Sequence, residues 1–116
     1  MAVLVQRDSD KDKMVFELKD NEILIGRNTQ CPININNSTV SSRHARVLKE
    51  GQYYKLEDTG SLNGTFLNGR MVRNAILKNG DRVRIGEIIL IYYEDLMQRT
   101  ARCLNNNIFK KRFKPA

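Results

Sequence analysis

The 116-residue chain contains few of the residues that build metal or disulfide sites, and it has no long apolar run. Its one histidine, His44, and its two cysteines, Cys31 and Cys103, are too few for a closed structural zinc site, which needs four ligands. No apolar run reaches the roughly 18 residues of a membrane-spanning helix. The sequence therefore predicts no metal, no cofactor, no membrane span, and two free thiols in a reducing, intracellular compartment.

Motifs for covalent or phosphoryl-transfer catalysis are also missing. Ser41, His44 and Asp58 could in principle form a triad, but Ser41 and His44 lie only three positions apart, across a loop and the start of a strand. A nucleophile and a base so placed rarely reach the necessary geometry. The sequence contains no nucleophile elbow and no P-loop. We therefore expect no catalytic residues and a protein that is not an enzyme.

Positive charge is in excess but is unevenly distributed. The net charge is +7; residues 1–93 hold 14 Lys/Arg and 11 Asp/Glu, whereas residues 94–116 hold 6 and 2. Because more than half of the excess lies in the tail, the charge does not indicate that the core binds nucleic acid. The tail run Phe109–Lys114 is a flexible linker, a nuclear-import signal or a nucleic-acid contact.

Short apolar segments separated by turn residues recur through the first 93 residues. Asn-Gly pairs, such as Asn63-Gly64 and Asn68-Gly69, favour tight hairpin turns because both positions adopt a positive φ at little cost. Closely spaced short strands without helices between them predict an all-β sandwich or barrel. The predicted strands are Met14–Leu18, Ile23–Ile25, Ile33–Ile35, His44–Leu48, Tyr53–Leu56, Thr65–Leu67, Arg82–Ile85 and Ile88–Tyr93.

The segment that follows the last predicted strand has a different pattern. Between Glu94 and Leu104 the apolar residues recur at helical spacing, with charged and polar residues opposite them. We therefore predict a β domain over residues 1–93, a short amphipathic helix over residues 94–104 and a basic flexible tail over residues 105–116.

The predicted strand Ile88–Tyr93 is apolar at every position, although a sandwich strand normally alternates. If its odd-numbered residues face the core, an exposed stripe remains, made of Ile88, Leu90 and Tyr92. Such a stripe needs a cover. Either the helix at 94–104 folds over it or a second copy of the chain does, in a twofold homodimer. Homodimerisation is therefore an alternative function for the chain.

Three separated polar segments lie at predicted strand ends, where a sandwich gathers its loops. They are Gly26-Arg27, Val40–His44 and Asp58–Thr65. An arginine offers a planar fork of donors that is always charged, and hydroxyl and backbone N–H groups can satisfy further oxygens. A phosphorylated side chain, with a charge of about −1.5 to −2 and three acceptor oxygens, suits such a set.

These segments, taken in order with the turns that follow them, resemble the forkhead-associated (FHA) domain over about residues 14–93. The resemblance implies an eleven-stranded FHA-type (SMAD/FHA-like) β-sandwich that binds phosphothreonine peptides through loops at one end. The matching residues are Gly26-Arg27; Ser41, Arg43 and His44; Asp58, Ser61, Asn63, Gly64 and Thr65; Asn68-Gly69; Leu77, Gly80 and Asp81; and Val83, Ile85 and Gly86.

The resemblance also implies a role for individual residues. Arg27 and Ser41 would hold the phosphate, Ser42 would contact the peptide, Arg43 would add positive potential, and Asn63 would bond the peptide main chain. Gly26, His44 and Gly64 would support the architecture of the site. One position departs from the common pattern: many members carry Thr or Ser where this chain has Leu62, which cannot donate to a phosphate.

The resemblance further implies a protein partner that bears phosphothreonine, in a signalling or scaffold role. The Gly60–Thr65 stretch and its N-terminal placement are similar to nuclear DNA-damage scaffolds of the mediator of DNA-damage checkpoint type. On that analogy we expect a nuclear location.

Overall fold

The computed structural model describes residues 2–8 and 11–94, which form eleven β-strands and no helix. The all-β, eleven-stranded prediction is confirmed. The predicted helix at 94–104 and the basic tail at 105–116 lie outside the described residues, apart from Glu94, which forms a bend. The strands are β1 (Val3–Asp8), β2 (Lys11–Glu17), β3 (Glu22–Gly26), β4 (Ile33–Asn34), β5 (Ala45–Glu50), β6 (Tyr53–Asp58), β7 (Thr65–Leu67), β8 (Arg70–Met71), β9 (Asn74–Ile76), β10 (Arg82–Ile85) and β11 (Ile88–Tyr93).

The strands form two sheets that pack face to face. The first has six strands in the order β2-β1-β11-β10-β7-β8, and the second has five in the order β4-β3-β5-β6-β9. All pairings are antiparallel except β3 with β4. Among the described residues no helix is long and apolar enough to cross a membrane.

The core lies between the two sheets and follows from strand alternation. In β5, Ala45 and Val47 are fully buried while Arg46 and Leu48 between them are only half-buried, as expected when successive side chains point to opposite faces. Tyr54 and Leu56 in β6 continue the same layer. From the other sheet, the main core cluster receives Leu4, Val83, Ile85, Leu90 and Tyr92.

Strand β11 faces the opposite way from the prediction. Leu90 and Tyr92 are 0% and 3% exposed and belong to the main core, and Ile88 packs against it. The reason is register: Leu90 pairs with Val83 of β10, and directly paired residues share a face. Ile88, Leu90 and Tyr92 therefore do not form a dimer surface, and that prediction is wrong.

Strand pairing brings the functional loops to one end of the sandwich. In the five-stranded sheet, Ala45 at the start of β5 pairs with Ile25 near the end of β3 and with Asp58 at the end of β6. In the other sheet, Ile85 at the end of β10 pairs with Thr65 at the start of β7. The loops after β3, before β5, after β6 and before β7 consequently converge.

Candidate functional site

Arg27, directly after β3, is tied by its backbone and its side chain to the loop before β5. Its backbone N–H donates to the Ser41 carbonyl at 3.0 Å, and its Nε donates to the Val40 carbonyl at 3.0 Å. The preceding residue must be glycine because a Cβ on Gly26 would overlap the Ser42 carbonyl. Within the described residues, the two terminal nitrogens of Arg27 have no hydrogen-bond partner and no carboxylate.

Ser41 is held by three contacts that leave its hydroxyl hydrogen available. Its backbone N–H donates to His44 Nδ1 at 3.0 Å, and its carbonyl accepts from Arg27. Its Oγ accepts a hydrogen bond from the Leu62 backbone N–H at 3.0 Å. Since the oxygen is already an acceptor in this contact, its O–H can donate to an incoming group. A backbone hydrogen bond thus joins Arg27 to Ser41, the two residues for which the sequence predicts phosphate contact.

His44 is completely buried and joins two of the loops. Its Nδ1 accepts from the Ser41 N–H, so in the neutral ring the proton is on Nε2, which donates to the Gly64 carbonyl at 2.8 Å. Its backbone N–H donates to the Ile25 carbonyl at 2.9 Å. Both ring nitrogens are therefore occupied within the protein, which makes His44 a supporting residue and leaves it no nitrogen for a ligand.

Asp58, at the end of β6, organises the loop that leads to Gly64. Its carboxylate accepts from the Gly60 and Ser61 N–H groups at 2.7 and 2.9 Å, and from the Ser61 and Thr65 hydroxyls at 2.6 and 2.7 Å. Burial alone would raise the pKa of Asp58, but these hydrogen bonds outweigh it and lower the pKa to about 2. The charged carboxylate therefore fixes the loop that carries Asn63.

Asn63 is exposed but its orientation is set from the neighbouring loop. Its Nδ2 donates to the Thr39 carbonyl at 2.8 Å. Thr39 is itself held: its Oγ1 donates to Asn37 Oδ1 at 2.6 Å and accepts from the Glu87 N–H at 2.9 Å. The Asn63 carbonyl oxygen has no hydrogen-bond donor among the residues at 2–8 and 11–94, so it is available to a ligand.

The role of Thr39 was not predicted from the sequence. It acts on Asn63 through its main-chain carbonyl, which every residue type has, and it is positioned by a turn almost fifty residues further along the chain. No motif in the sequence marks such a contact. The nearest signal is Gly86, where a Cβ would overlap the Thr39 carbonyl and hydroxyl.

Ser42 and Arg43 both lie exposed on the loop between Ser41 and His44. The Ser42 carbonyl accepts from the Asn28 N–H at 3.1 Å and from the Cys31 thiol at 3.4 Å. Burial raises the pKa of the Cys31 thiol, and the nearby positive charge of Arg43 partly opposes that rise. The backbones of Ser42 and Arg43 are fixed, and in the described part of the chain their polar side-chain ends have no hydrogen-bond partner.

A groove of about 330 Å³ runs beside Asn63 and Leu62, and its far wall is formed by Met71, Val72 and Arg73. Leu62 is 88% exposed, and Met71 is 66% exposed. Larger concavities lie elsewhere, including one of about 470 Å³ lined by Phe16, Pro32 and their neighbours, but they contain none of the residues predicted to bind the phosphopeptide. A shallow groove beside unpaired donors suits an extended chain better than a compact small molecule.

The donors in this site can bind an anion. Arg27 and Arg43 supply positive charge, Ser41 supplies a hydroxyl, and no carboxylate pairs with either arginine in the described ranges 2–8 and 11–94. Among those residues, no group of three or more His, Cys, Asp or Glu side chains could hold a metal ion.

The sequence is similar to a known domain family and to proteins with known names. The model of the FHA domain family matches residues 23–86. The chain is 34% identical over 91 residues to the oxoglutarate dehydrogenase inhibitor of Corynebacterium jeikeium, covering 78% of this chain and 63% of that protein. It is 37% identical over 91 residues to the glycogen accumulation regulator GarA of Mycolicibacterium smegmatis, covering 78% and 58%. The chain therefore spans about 60% of the length of these relatives.

Solved structures share the fold. The FHA domain of FhaA, determined in complex with the intracellular domain of another protein, is 29% identical with a TM-score of 0.72, covering 79% of this chain and 99% of that chain. EmbR of Mycobacterium tuberculosis, determined with a low-affinity phosphopeptide, is 25% identical with a TM-score of 0.74, covering 81% and 24%.

The similar proteins correct one part of the sequence-based prediction. The inhibitor and the regulator come from bacteria, which have no nucleus, so the predicted nuclear location and the kinship with nuclear DNA-damage scaffolds are wrong. Their names are those of regulatory proteins, not enzymes. The family match, the sandwich and the three converging loops agree, and the chain belongs to the FHA domain family.

Proposed function

We propose that this domain recognises a phosphothreonine in an extended segment of another protein, through Arg27, Ser41 and Asn63. The observation that carries the proposal is the junction of the first two residues: the Arg27 N–H bonds the Ser41 carbonyl, while the arginine terminal nitrogens and the serine O–H stay available. Two loops that are joined by a backbone hydrogen bond thus carry a charged fork and a hydroxyl, which supports the proposal.

The phosphate would be bound by charge-assisted hydrogen bonds. A phosphate oxygen accepts from the terminal nitrogens of Arg27, and another accepts from the Ser41 hydroxyl. The Arg27 Nε is engaged with the Val40 carbonyl, so the guanidinium is already oriented and little side-chain entropy is lost on binding. Arg43 adds positive potential, and Ser42 is a further polar contact on the same loop.

The peptide main chain would be held by Asn63. The hydrogen bond to the Thr39 carbonyl fixes the amide plane and leaves the Asn63 carbonyl oxygen to accept a peptide N–H. Residues that follow the phosphothreonine would then lie along the groove beside Leu62 and Met71. Because Leu62 replaces a common hydroxyl donor, we expect an affinity around micromolar, about −8 kcal/mol.

The wider role would be regulation by docking. The relatives named above are an inhibitor and a regulator, and this chain, whose residues 23–86 match the FHA model, aligns with each of them over 91 residues. By analogy, we propose that this chain binds a phosphorylated partner and alters that partner without catalysing a reaction itself.

An oriented phosphothreonine peptide library, followed by calorimetric titration of an enriched sequence, tests the proposal. We expect binding near micromolar for the phosphothreonine peptide and none for its unphosphorylated twin. The phosphoserine version should bind at least about 5-fold more weakly, because it lacks a methyl group worth roughly 1 kcal/mol when buried. Equal retention of phosphorylated and unphosphorylated peptides would overturn the proposed function.

A further inference from the structure

A second group of buried apolar side chains lies on the outer face of the six-stranded sheet. Val3 and Val5 are fully buried, Ile91 and Tyr93 are each 5% exposed, and Ile89 packs against them. These residues alternate along β1 and β11 with Leu4, Leu90 and Tyr92, which belong to the main core. Strands β1 and β11 are therefore buried on both faces at these positions.

The described strands do not account for this burial. The five-stranded sheet packs on the inner face, and within residues 2–8 and 11–94 the outer cluster draws its members from β1 and β11 alone. The neighbouring strand is much less covered: Val15, which pairs with Val5 on the same face, is 41% exposed. The cover is therefore narrow and follows β1 and β11.

The dimensions of the buried strip suit one helix. Two adjacent strands are about 10 Å wide, and the five residues from Ile89 to Tyr93 span about 13–17 Å. A helix is about 10 Å in diameter and rises about 1.5 Å per residue, so nine to eleven residues cover the strip. Residues 95–104, which follow the last described residue, are ten in number and suffice for a helix of that length.

We propose that residues 95–104 of the same chain dock across β1 and β11 and cover this outer face. The segment begins directly after β11, whose last residue, Tyr93, is itself in the outer cluster. Its apolar side chains recur at helical spacing and would form the contact surface. These side chains are Leu96, Met97, Ala101 and Leu104.

The two native cysteines allow a direct test in the full chain. Cys31 is 4% exposed, so a thiol-reactive nitroxide applied to the folded protein should label Cys103, which lies in the proposed docking segment. The spin label broadens NMR signals of nearby amides. We expect strong loss of amide intensity in β1 and β11 and little loss in β5 and β6, which lie in the opposite sheet. Broadening concentrated in β5 and β6, or none in either sheet, would overturn the proposal.

A mixed sample separates the same chain from a second copy. Spin-labelled chain without isotope is added to isotope-labelled chain without the spin label, so that any broadening must be intermolecular. We expect none. If the β1 and β11 signals broaden in the mixture as strongly as in the singly labelled chain, the occupant is a second molecule and the proposal is wrong.

Substitution in the segment gives a second measurement with a matched control. Replacing Leu96, Met97 and Leu104 together by Ser should lower the urea midpoint and increase binding of a hydrophobic dye. Replacing Gln98, Arg99 and Arg102 together by Ser, on the other side of the predicted helix, should change neither. Equal effects of the two triple variants would overturn the proposal, and the spin-label result decides it if the first variant does not fold.

Discussion

At the residue scale, Arg27 and Ser41 each use one part of the side chain to hold their position and leave another part for a ligand. The Arg27 Nε donates to the Val40 carbonyl, and the Ser41 Oγ accepts from the Leu62 N–H. The arrangement lowers the entropy lost on binding, because the donors are already oriented. It also means that a conservative exchange such as Arg27→Lys would lose both the fork and the orienting bond.

Replacing Arg27 tests its proposed role directly. Arg27→Ala should weaken phosphothreonine-peptide binding by about 1.5–3 kcal/mol, or roughly 10- to 150-fold, because it removes charge-assisted hydrogen bonds. Calorimetric titration measures the change. Arg82→Ala is the control, since Arg82 is exposed at the opposite end of β10 and its loss changes the net charge equally. An equal loss of affinity in both variants would indicate non-specific electrostatic attraction of the peptide. It would show that Arg27 does not bind the phosphate directly.

Asp58 predicts a defined pH dependence of stability. Its pKa is lowered from 3.8 to about 2 in the folded chain, so the stabilisation is fully present above the ordinary pKa and is lost as pH falls towards 2. The shift corresponds to about 2 kcal/mol. Asp58→Asn should therefore reduce the free energy of unfolding by about that amount at neutral pH, and the gap should close between about pH 4 and pH 2.

Urea unfolding of both proteins across that pH range measures the effect. The control is Asp20→Asn, which changes the same charge on an exposed residue between β2 and β3. If Asp58→Asn lowers the free energy of unfolding by the same amount at pH 2 as at neutral pH, loss of the carboxylate charge is not the cause. The pH dependence predicted from the lowered pKa is then wrong.

At the element scale, the turn between β10 and β11 is coupled to the binding loops through Thr39. Gly86 in that turn has a φ of 62°, and a Cβ there would overlap Thr39. Gly51, in the turn between β5 and β6, has nearly the same φ of 63° but open space around it. Substitution of these two glycines therefore separates the stability cost of a side chain at positive φ from the stability cost of the overlap with Thr39.

We expect Gly51→Ala to cost about 1 kcal/mol of stability, the strain of a left-handed residue with a side chain. Gly86→Ala should cost roughly 1–3 kcal/mol more because of the overlap. Since Thr39 holds Asn63, Gly86→Ala should also weaken phosphopeptide binding, whereas Gly51→Ala should not. Denaturant unfolding and calorimetry give the two quantities. Unchanged peptide affinity in Gly86→Ala would show that Thr39 does not transmit the displacement to Asn63.

The strands that alternate could be predicted from the sequence, and those that do not alternate were missed or misread. β1 was not predicted, because Val3, Leu4 and Val5 are buried on both faces and show no period of two. β11 was predicted, but its orientation was wrong, since a strand that is apolar throughout carries no information about its faces. β8 and β9 have two and three residues, too few to form a recognisable pattern.

The site was predictable to the extent that its contacts use particular side chains. Arg27, Ser41, His44 and Asn63 stand in an ordered motif, and the structure brings their loops together. Thr39 could not be found, because its contact with Asn63 is made by a backbone carbonyl and depends on the sheet topology. Residue-level chemistry was therefore easier to predict than the long-range contacts that hold it in place.

At the scale of the whole molecule, Tyr54 contributes to stability from the end of the sandwich opposite the proposed site. The proposed site lies beyond the end of β6, which is at Asp58, whereas Tyr54 near the start of β6 lies about 13 Å away along the strand. Tyr54 is buried, its hydroxyl donates to the Leu18 carbonyl at 3.1 Å, and its ring packs edge-on against Tyr92 at 6.2 Å. It connects the two sheets, and the hydrogen bond and ring contacts of its side chain within the described residues reach Leu18, Tyr92 and Lys49, which lie outside the proposed site.

Tyr54→Phe should therefore lower stability without changing recognition. Removing the hydroxyl leaves the buried Leu18 carbonyl without its donor, at a cost of about 1–2 kcal/mol in the free energy of unfolding, while the ring contact with Tyr92 remains. Changes at well-separated sites add. Phosphopeptide at 100 times its Kd should thus stabilise both proteins by the same increment, about 2.7 kcal/mol. Urea unfolding with and without peptide measures both the stability lost in the variant and the stabilisation by the peptide. A smaller stabilisation by the peptide in Tyr54→Phe would mean that the two ends of the sandwich are energetically coupled.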